Sequence, residues 1–166
     1  MIDDDRNCSG VERLNRTSKA AVFHGIDRGF NIESFDLEKA TGKEILVEVL
    51  ACTICGSDIH TLKGRRKEPT PSILGHEIIG RIAEFGDEAH RIDARGVVLQ
   101  IGDRITWSLA ASCNECFFCK RDLPQKCLQL LKYGHSVVQS GKDLLGGMSE
   151  YCWVKPGTTI VKLSDQ

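Results

Sequence analysis

The sequence predicts a mainly β, barrel-like domain. Short runs rich in Val, Ile and Leu recur along the chain, glycines separate them, and only one short segment has helical character. Many short strands joined by glycine turns are typical of barrels and sandwiches, in which each strand buries one face against a shared core. With 166 residues, the chain has the size of a single domain that can bury its own core.

The first part of the chain predicts two strands behind a polar leader. Residues 1–17 mix charges and small polar side chains, so we expect a disordered leader there, ahead of a domain spanning 18–166. Residues 20–23 and 44–54 are rich in Val, Ile and Leu, and the second run alternates as a half-buried strand does. The glycines between the two runs mark turns.

A short helix is predicted at residues 55–64, which read CGSDIHTLKG. Ser57 or Asp58 can cap its first turn, and Gly64 can end it. After a basic loop, residues 73–85 combine Ile and Phe with interspersed glycines. This composition predicts one bent strand rather than a helix, because glycine weakens helix interiors.

The second half of the chain predicts four further short strands. Residues 97–99 and 104–107 are strand candidates with a Gly-Asp turn between them. Residues 150–154 and 159–163 form the last pair, on either side of a Pro-Gly turn. The region between these pairs is dominated by cysteines and has no clear period.

Composition and charge exclude two classes of partner. The net charge of -1 gives no basic surface for nucleic acid, and no run approaches the roughly 18 apolar residues that a membrane span needs. The first residues are acidic and polar rather than signal-like, so we expect a cytoplasmic protein. Eight cysteines are many for a reducing compartment, which raises the question of metal ligation.

Four of the cysteines fall within fifteen residues, in the pattern Cys113-x2-Cys116-x2-Cys119-x7-Cys127. Four thiolates on one short segment are the ligand set of a closed, structural zinc site. An iron-sulfur cluster is the alternative, but the bacterial ferredoxin pattern places its next cysteine at the position of Leu123. The spacing therefore favours structural zinc over iron and over four unliganded core cysteines.

A second group of candidate ligands begins at Cys55 and continues in a later Gly75-His76-Glu77 triplet. A catalytic zinc has three protein ligands and an open position for water or substrate. Cys55 and His76 would supply two of the three ligands. Glu77 would be either an outer carboxylate or a transient ligand.

Three side chains near Cys55 have predicted supporting roles. Asp58 could hold the far nitrogen of His76. Ser57 could accept the proton of a zinc-bound alcohol, and His60 could pass it to solvent. Taken singly, each residue has an ordinary explanation, such as a core thiol, a helix cap, a surface histidine or a solvated charge.

Taken together, the residues carry a resemblance. The pattern Gly75-His76-Glu77-x-x-Gly80-x5-Gly86-x2-Ala89 resembles the zinc signature of medium-chain, zinc-dependent alcohol dehydrogenases. The similarity runs from about residue 18 to the end of the chain and includes the four-cysteine segment. It implies a GroES-like β barrel and zinc-polarised hydride transfer between a small alcohol and NAD or NADP. Residues 133–135 and 144–156 look most like the branch associated with phosphonate breakdown.

Two features of that family are missing from these residues. Its third zinc ligand would come from a segment beginning just after Gln166, and no Gly-x-Gly-x-x-Gly turn for a dinucleotide occurs in the sequence. We therefore expect a catalytic domain truncated before the nucleotide-binding domain, which alone would not transfer hydride. The alternative is a non-catalytic zinc module that acts by protein contact, with a homo-oligomer as one form of it.

The remaining cysteines and histidines carry no assigned chemistry. Cys52 and Cys152 lie in apolar strand contexts and are predicted to be core residues, whereas Cys8 lies in the leader and is expected to be inert. The other three histidines have no partner that the sequence identifies and are expected to be ordinary surface or packing residues. They are His24, His90 and His135.

Overall fold

The computed structural model describes residues 16–164, and most of its regular structure is strand. The elements in chain order are β1 (Thr17–Phe23), β2 (Phe30–Asp36), β3 (Ile45–Thr53), α1 (Gly56–Leu62), β4 (Ser72–Ile73), β5 (Glu77–Phe85), β6 (Arg104–Ala111), β7 (Leu131–Lys132), β8 (Tyr151–Val154) and β9 (Thr158–Lys162). Three single 3-10 turns lie at Cys119–Arg121, Pro124–Lys126 and Gly141–Asp143. The predicted leader falls largely outside the described residues, and its last residue, Thr17, begins β1.

The strands form two antiparallel sheets. The smaller has the order β2-β1-β4, and the larger has the order β7-β6-β5-β3-β8, with β9 pairing with β6. Backbone hydrogen bonds join the sheets, because Ala21 donates to Met148 at 2.8 Å and Glu150 donates to Lys19 at 2.9 Å. The result is the curled, barrel-like β fold that the sequence predicts.

The core lies between the sheets and is built from the inward faces of β1, β3, β5, β6 and β8. Leu46 and Val47 on β3 are fully buried and lie opposite Trp153 and Cys152 on β8. The buried Nε1–H of Trp153 donates a hydrogen bond to the Gly141 carbonyl at 2.6 Å, which satisfies the polar atom of this ring. Apolar burial of this kind is the main favourable contribution to folding.

The structure corrects two strand predictions and adds two strands, β2 and β7. Residues 73–85 do not form one strand, because the chain turns through Gly75, at φ +85°, between β4 and β5. Residues 97–99 make only an isolated bridge between Ile92 and Val98. The sequence did not predict β2, since its side chains are exposed or half-buried on both faces and so show no hydrophobic alternation.

The Tyr133 hydroxyl is hydrogen-bonded to the turn that joins β8 to β9. Its buried hydroxyl lies 2.7 Å from Thr158 Oγ1 and accepts a hydrogen bond from the Lys155 amide at 2.9 Å. Burial raises the pKa of Tyr133 well above its usual range. The phenol therefore stays protonated in the folded chain at pH values where it ionises in the unfolded one.

Substitution of Tyr133 by Phe is expected to lower the free energy of unfolding by about 1 kcal/mol, because the half-buried Lys155 amide loses its acceptor. The wild type should lose stability as the pH rises above about 10, where the unfolded chain releases the phenolic proton, and the Tyr133→Phe variant should lose less. Urea unfolding at pH 7 and pH 10.5 measures both effects. Tyr151→Phe is the matched control, since within residues 16–164 its hydroxyl makes no hydrogen bond. Equal stability of the two variants would contradict the assignment.

Candidate metal centres

The four-cysteine segment folds into a lobe between β6 and β7, spanning residues 112–130, and brings its four sulfurs together. The Sγ atoms of Cys113, Cys116, Cys119 and Cys127 all lie within 4.8 Å of one another. Measured pairs are 3.9 Å for Cys113–Cys119, 3.5 Å for Cys116–Cys119 and 3.5 Å for Cys113–Cys127. Sulfurs held at about 2.3 Å from a tetrahedral zinc are about 3.8 Å apart, so the cluster has the dimensions of a closed site.

Backbone amides converge on the sulfurs of the lobe. Cys116 N–H donates to Cys113 Sγ at 3.3 Å, while Cys113 N–H and Gln129 N–H donate to Cys127 Sγ at 3.2 and 3.3 Å. The amide of Cys119, followed by that of Leu128, lowers the pKa of Cys116 to about 6. Burial and the neighbouring thiols raise the pKa of Cys119 to about 12. Amide donors of this kind favour the thiolate form in which cysteine binds a metal.

The second group also converges. One ligand atom each from Cys55, His76 and Glu77 lies within 4.8 Å of the others. Cys55 is the N-cap residue of α1, His76 stands just before β5, and Glu77 begins that strand. His76 is buried, Cys55 is half-buried and Glu77 is exposed, so the group opens to solvent on the Glu77 side. Glu77 also accepts a hydrogen bond from the hydroxyl of Thr53.

Asp58 is hydrogen-bonded to both segments that carry candidate ligands, the start of α1 at Cys55 and the turn before His76. Its fully buried carboxylate accepts from the Cys55 amide at 2.9 Å and from the Gly75 amide at 3.3 Å. Its Oδ1 atom lies 3.7 Å from His76 Nδ1, beyond hydrogen-bond distance. Asp58 therefore acts mainly on the backbone beside each ligand, which the sequence did not suggest. It stands at the N3 position of α1, and Cys55 rather than Ser57 or Asp58 is the N-cap.

Gly75 makes this arrangement possible. It has φ of +85°, a conformation that L side chains rarely adopt, and a Cβ added there would lie 2.5 Å from Cys52 Sγ. The glycine thus lets the chain turn tightly between the thiol of Cys52 and the carboxylate of Asp58. This turn brings His76 to face Cys55.

The two predicted proton carriers, Ser57 and His60, both lie on α1 but differ in exposure to solvent. The half-buried Ser57 hydroxyl lies 3.5 Å from His76 Nε2. His60 is exposed in the last turn of the helix. The structure therefore places Ser57 beside the candidate ligands and His60 on the solvent side of the same helix.

His135 is the residue of this region that the sequence did not single out. Its side chain is 6% exposed, its ring centroid is 5.3 Å from that of His76, and its Nδ1 lies 3.7 Å from Glu68 Oε1. Burial, and next the Arg66 guanidinium, lower the pKa of His135. The Tyr-Gly-His triplet at 133–135 was the only sequence signal, and it gave no hint of a neighbour so far along the chain.

The other singled-out residues carry no chemistry here. Cys152 is a fully buried core residue, as predicted, and Cys52 is half-buried against the same core. His24 pairs with Glu33 at 2.5 Å, and His90 is exposed. Cys8 lies outside the described residues.

Comparison with known proteins identifies the domain. Residues 41–165 match the model of the alcohol dehydrogenase GroES-like domain. The chain is 31% identical over 131 residues to D-arabinitol dehydrogenase 1 of Uromyces fabae, covering 79% of this chain and 34% of that protein. It is 35% identical over 144 residues to a zinc-type alcohol dehydrogenase-like protein of Schizosaccharomyces pombe, covering 78% and 32%.

A solved structure has the same fold. The crystal structure of an alcohol dehydrogenase from Thermotoga maritima superposes with a TM-score of 0.81 at 31% identity, covering 90% of this chain and 41% of that one. The chain thus spans about a third of the length of the two curated relatives. Among residues 16–164, no helix has the length and hydrophobicity that a membrane crossing requires. With its matched domain and barrel-like fold, the chain belongs to the zinc-type, medium-chain alcohol dehydrogenase family, of which it contains the GroES-like domain.

Proposed function

We propose that this chain is the metal-binding catalytic domain of a zinc-dependent alcohol dehydrogenase, in which a small alcohol or polyol is oxidised with NAD or NADP as hydride acceptor. The observation that carries the proposal is the convergence of Cys55, His76 and Glu77 within 4.8 Å, separately from the four-cysteine lobe. One closed and one open group of ligands match the division between structural and catalytic zinc. The relatives are alcohol and polyol dehydrogenases by name, which supports the substrate class.

The donor set fits a zinc ion at each group. Four thiolates suit a closed structural site, and one thiolate, one imidazole and one carboxylate leave a fourth position for water or alcohol. In this proposal Glu77 is the third ligand within the chain itself. Bound zinc supplies Lewis acidity, which lowers the pKa of a coordinated hydroxyl and polarises its carbon-oxygen bond.

The residues around the ligands have distinct tasks in this reaction. Asp58 holds the Cys55 and Gly75 amides, so the ligand positions are set before substrate arrives. Ser57 is proposed to relay the proton of the alcohol, accepting it at its oxygen while its own hydroxyl proton passes onward, because the hydroxyl lies beside His76 at the group. His60 is exposed on the same helix and is proposed to pass that proton to solvent. The narrower link to phosphonate breakdown stays a prediction.

Metal counting tests the proposal directly. Purified chain loaded with zinc is expected to hold two ions, one of which a chelator removes readily because its site is open to solvent. Elemental analysis before and after dialysis against EDTA measures both. The Cys55→Ser variant should lose only the readily removed ion, and the Cys52→Ser variant should keep both.

Two results would contradict the proposal. A wild type with a single, tightly held ion would favour a non-catalytic zinc module. A labile ion that persists unchanged in the Cys55→Ser variant would show that this ion is bound elsewhere. In either case the convergence of Cys55, His76 and Glu77 would not be a metal site.

A further inference from the structure

The segment that carries His135 runs alongside the segment that carries His76. Val138 N–H donates to the Pro71 carbonyl at 2.9 Å, and a bridge joins Ser72 to Val137. These contacts tie residues 133–138 to the chain that leads into the candidate catalytic group. The two histidines are therefore held on paired backbones rather than on independent loops.

The backbones also meet directly at two glycines. A Cβ added to Gly134, which has φ of +76°, would lie 3.0 Å from the carbonyl oxygen and 3.3 Å from the nitrogen of Gly75. Gly75 is the residue before His76 and the residue whose amide Asp58 binds. Close approach at this point brings the side chain that follows Gly134 onto the side chain that follows Gly75.

Those side chains are the two imidazoles. The ring centroids of His135 and His76 are 5.3 Å apart with an interplanar angle of 35°. The His135 side chain is 6% exposed and that of His76 is 9% exposed, so the two rings meet in a largely buried position. Such a tilted stack restricts how far the His76 ring can turn about its side-chain bonds.

Packing is the contact that the two rings share, and within residues 16–164 the one side-chain hydrogen bond at either ring joins Ser57 Oγ to His76 Nε2 at 3.5 Å. Within residues 16–164, the buried Nδ1 atoms of His76 and His135 have no hydrogen-bond partner, and each lies 3.7 Å from a carboxylate oxygen, of Asp58 and Glu68 respectively. Glu68 is itself paired with the Arg66 guanidinium. The His135 ring is thus enclosed between an ion pair on one side and the His76 ring on the other.

We propose that His135 is a positioning residue for the metal site formed by Cys55, His76 and Glu77, which it serves by packing its ring against the His76 ring. This inference rests on the proposed function, since it requires an ion at that site. Residues that orient a metal-bound histidine preserve affinity by keeping the ring in the binding orientation before the ion arrives. In this case a flat, buried side chain provides the restraint.

Three variants test the role. His135→Ala removes the ring, His135→Phe keeps a ring but removes both nitrogens, and His90→Ala removes an exposed histidine as the matched control. Zinc affinity of the labile site is measured by competition with a chromogenic chelator, with the ion of the four-cysteine lobe as an internal check of folding. His135→Ala is expected to weaken the labile ion by about 10- to 100-fold, the usual loss when a residue that orients a ligand is removed. His135→Phe and His90→Ala should bind close to the wild type.

Cobalt provides a readout that a purely structural role would not move. Co²⁺ loaded into the labile site is expected to show visible absorption bands that shift in His135→Ala, because the His76 ring meets the ion at a different angle, and that stay in place in His90→Ala. The bands of His135→Phe should resemble those of the wild type. If His135→Ala loses the lobe ion or its cooperative unfolding, His135→Leu replaces it, since Leu keeps apolar volume without a flat ring.

The outcomes separate this inference from the proposed function. A wild type that binds one ion overturns both. A wild type that binds two ions, with unchanged labile affinity in His135→Ala, overturns the positioning role alone. Equal losses in His135→Phe and His135→Ala also overturn it, because the nitrogens rather than ring packing would then carry the effect.

Discussion

Substitution of Cys119 by Ser is expected to weaken binding of the ion of the four-cysteine lobe and to loosen residues 112–130. Cys127 is the only buried residue of this segment, so the lobe has no apolar core that could hold it in place of the metal. Structural zinc in small peptides contributes about 10–16 kcal/mol, so loss of one of four thiolates should cost about 3 kcal/mol, or about two orders of magnitude in affinity. Zinc competition titrations and limited proteolysis of the lobe measure the effect.

The barrel should survive that substitution. Its core residues on β3 and β8 lie between the sheets, whereas the lobe continues from β6 into β7 and is also attached by the Ser112 amide, which donates to the Gly157 carbonyl at 3.2 Å. Cys152→Ala is the matched control, because it removes a thiol from the core and leaves both groups of ligands intact. A Cys119→Ser variant with unchanged zinc affinity and unchanged protease resistance would rule out the four-thiolate site.

Substitution of Asp58 by Ala should have an effect of similar size at the other site. The backbone amides of Cys55 and Gly75 would lose their acceptor, and each buried unpaired donor costs about 1–3 kcal/mol. We therefore expect the free energy of unfolding to fall by several kcal/mol in total and the labile ion to be lost, while the lobe keeps its zinc. Urea unfolding and elemental analysis of the same preparation measure both.

Asp58→Asn provides the comparison. It keeps one carbonyl oxygen, which can satisfy one of the two amides, so its stability should lie between the wild type and the Asp58→Ala variant. Asp143→Ala is a second control, since that carboxylate accepts hydrogen bonds within the turn at Gly141–Asp143 and belongs to neither group of ligands. An Asp58→Ala variant as stable as the wild type, with two ions, would show that this carboxylate does not organise the site.

Residues close in sequence made part of the site predictable. The four cysteines fall within fifteen residues, so their spacing alone limits how far apart the sulfurs can be. The helix at α1 and the strands β8 and β9 were likewise readable from local pattern. The edge strand β2 and the break at Gly75 were not, because exposure on both faces and a single positive φ leave no periodic signal.

The sequence by itself determined the β class, the identity of the candidate ligands and the grouping of the lobe cysteines, because these depend on composition and short-range spacing. Only the tertiary structure decided that Glu77 joins Cys55 and His76, that Asp58 binds the backbone beside each ligand segment, and that His135 packs on His76. These contacts join segments that are distant in sequence and that the folded sheets bring together. Pairing is set by the burial of a common core, a property of the whole chain that no local segment encodes.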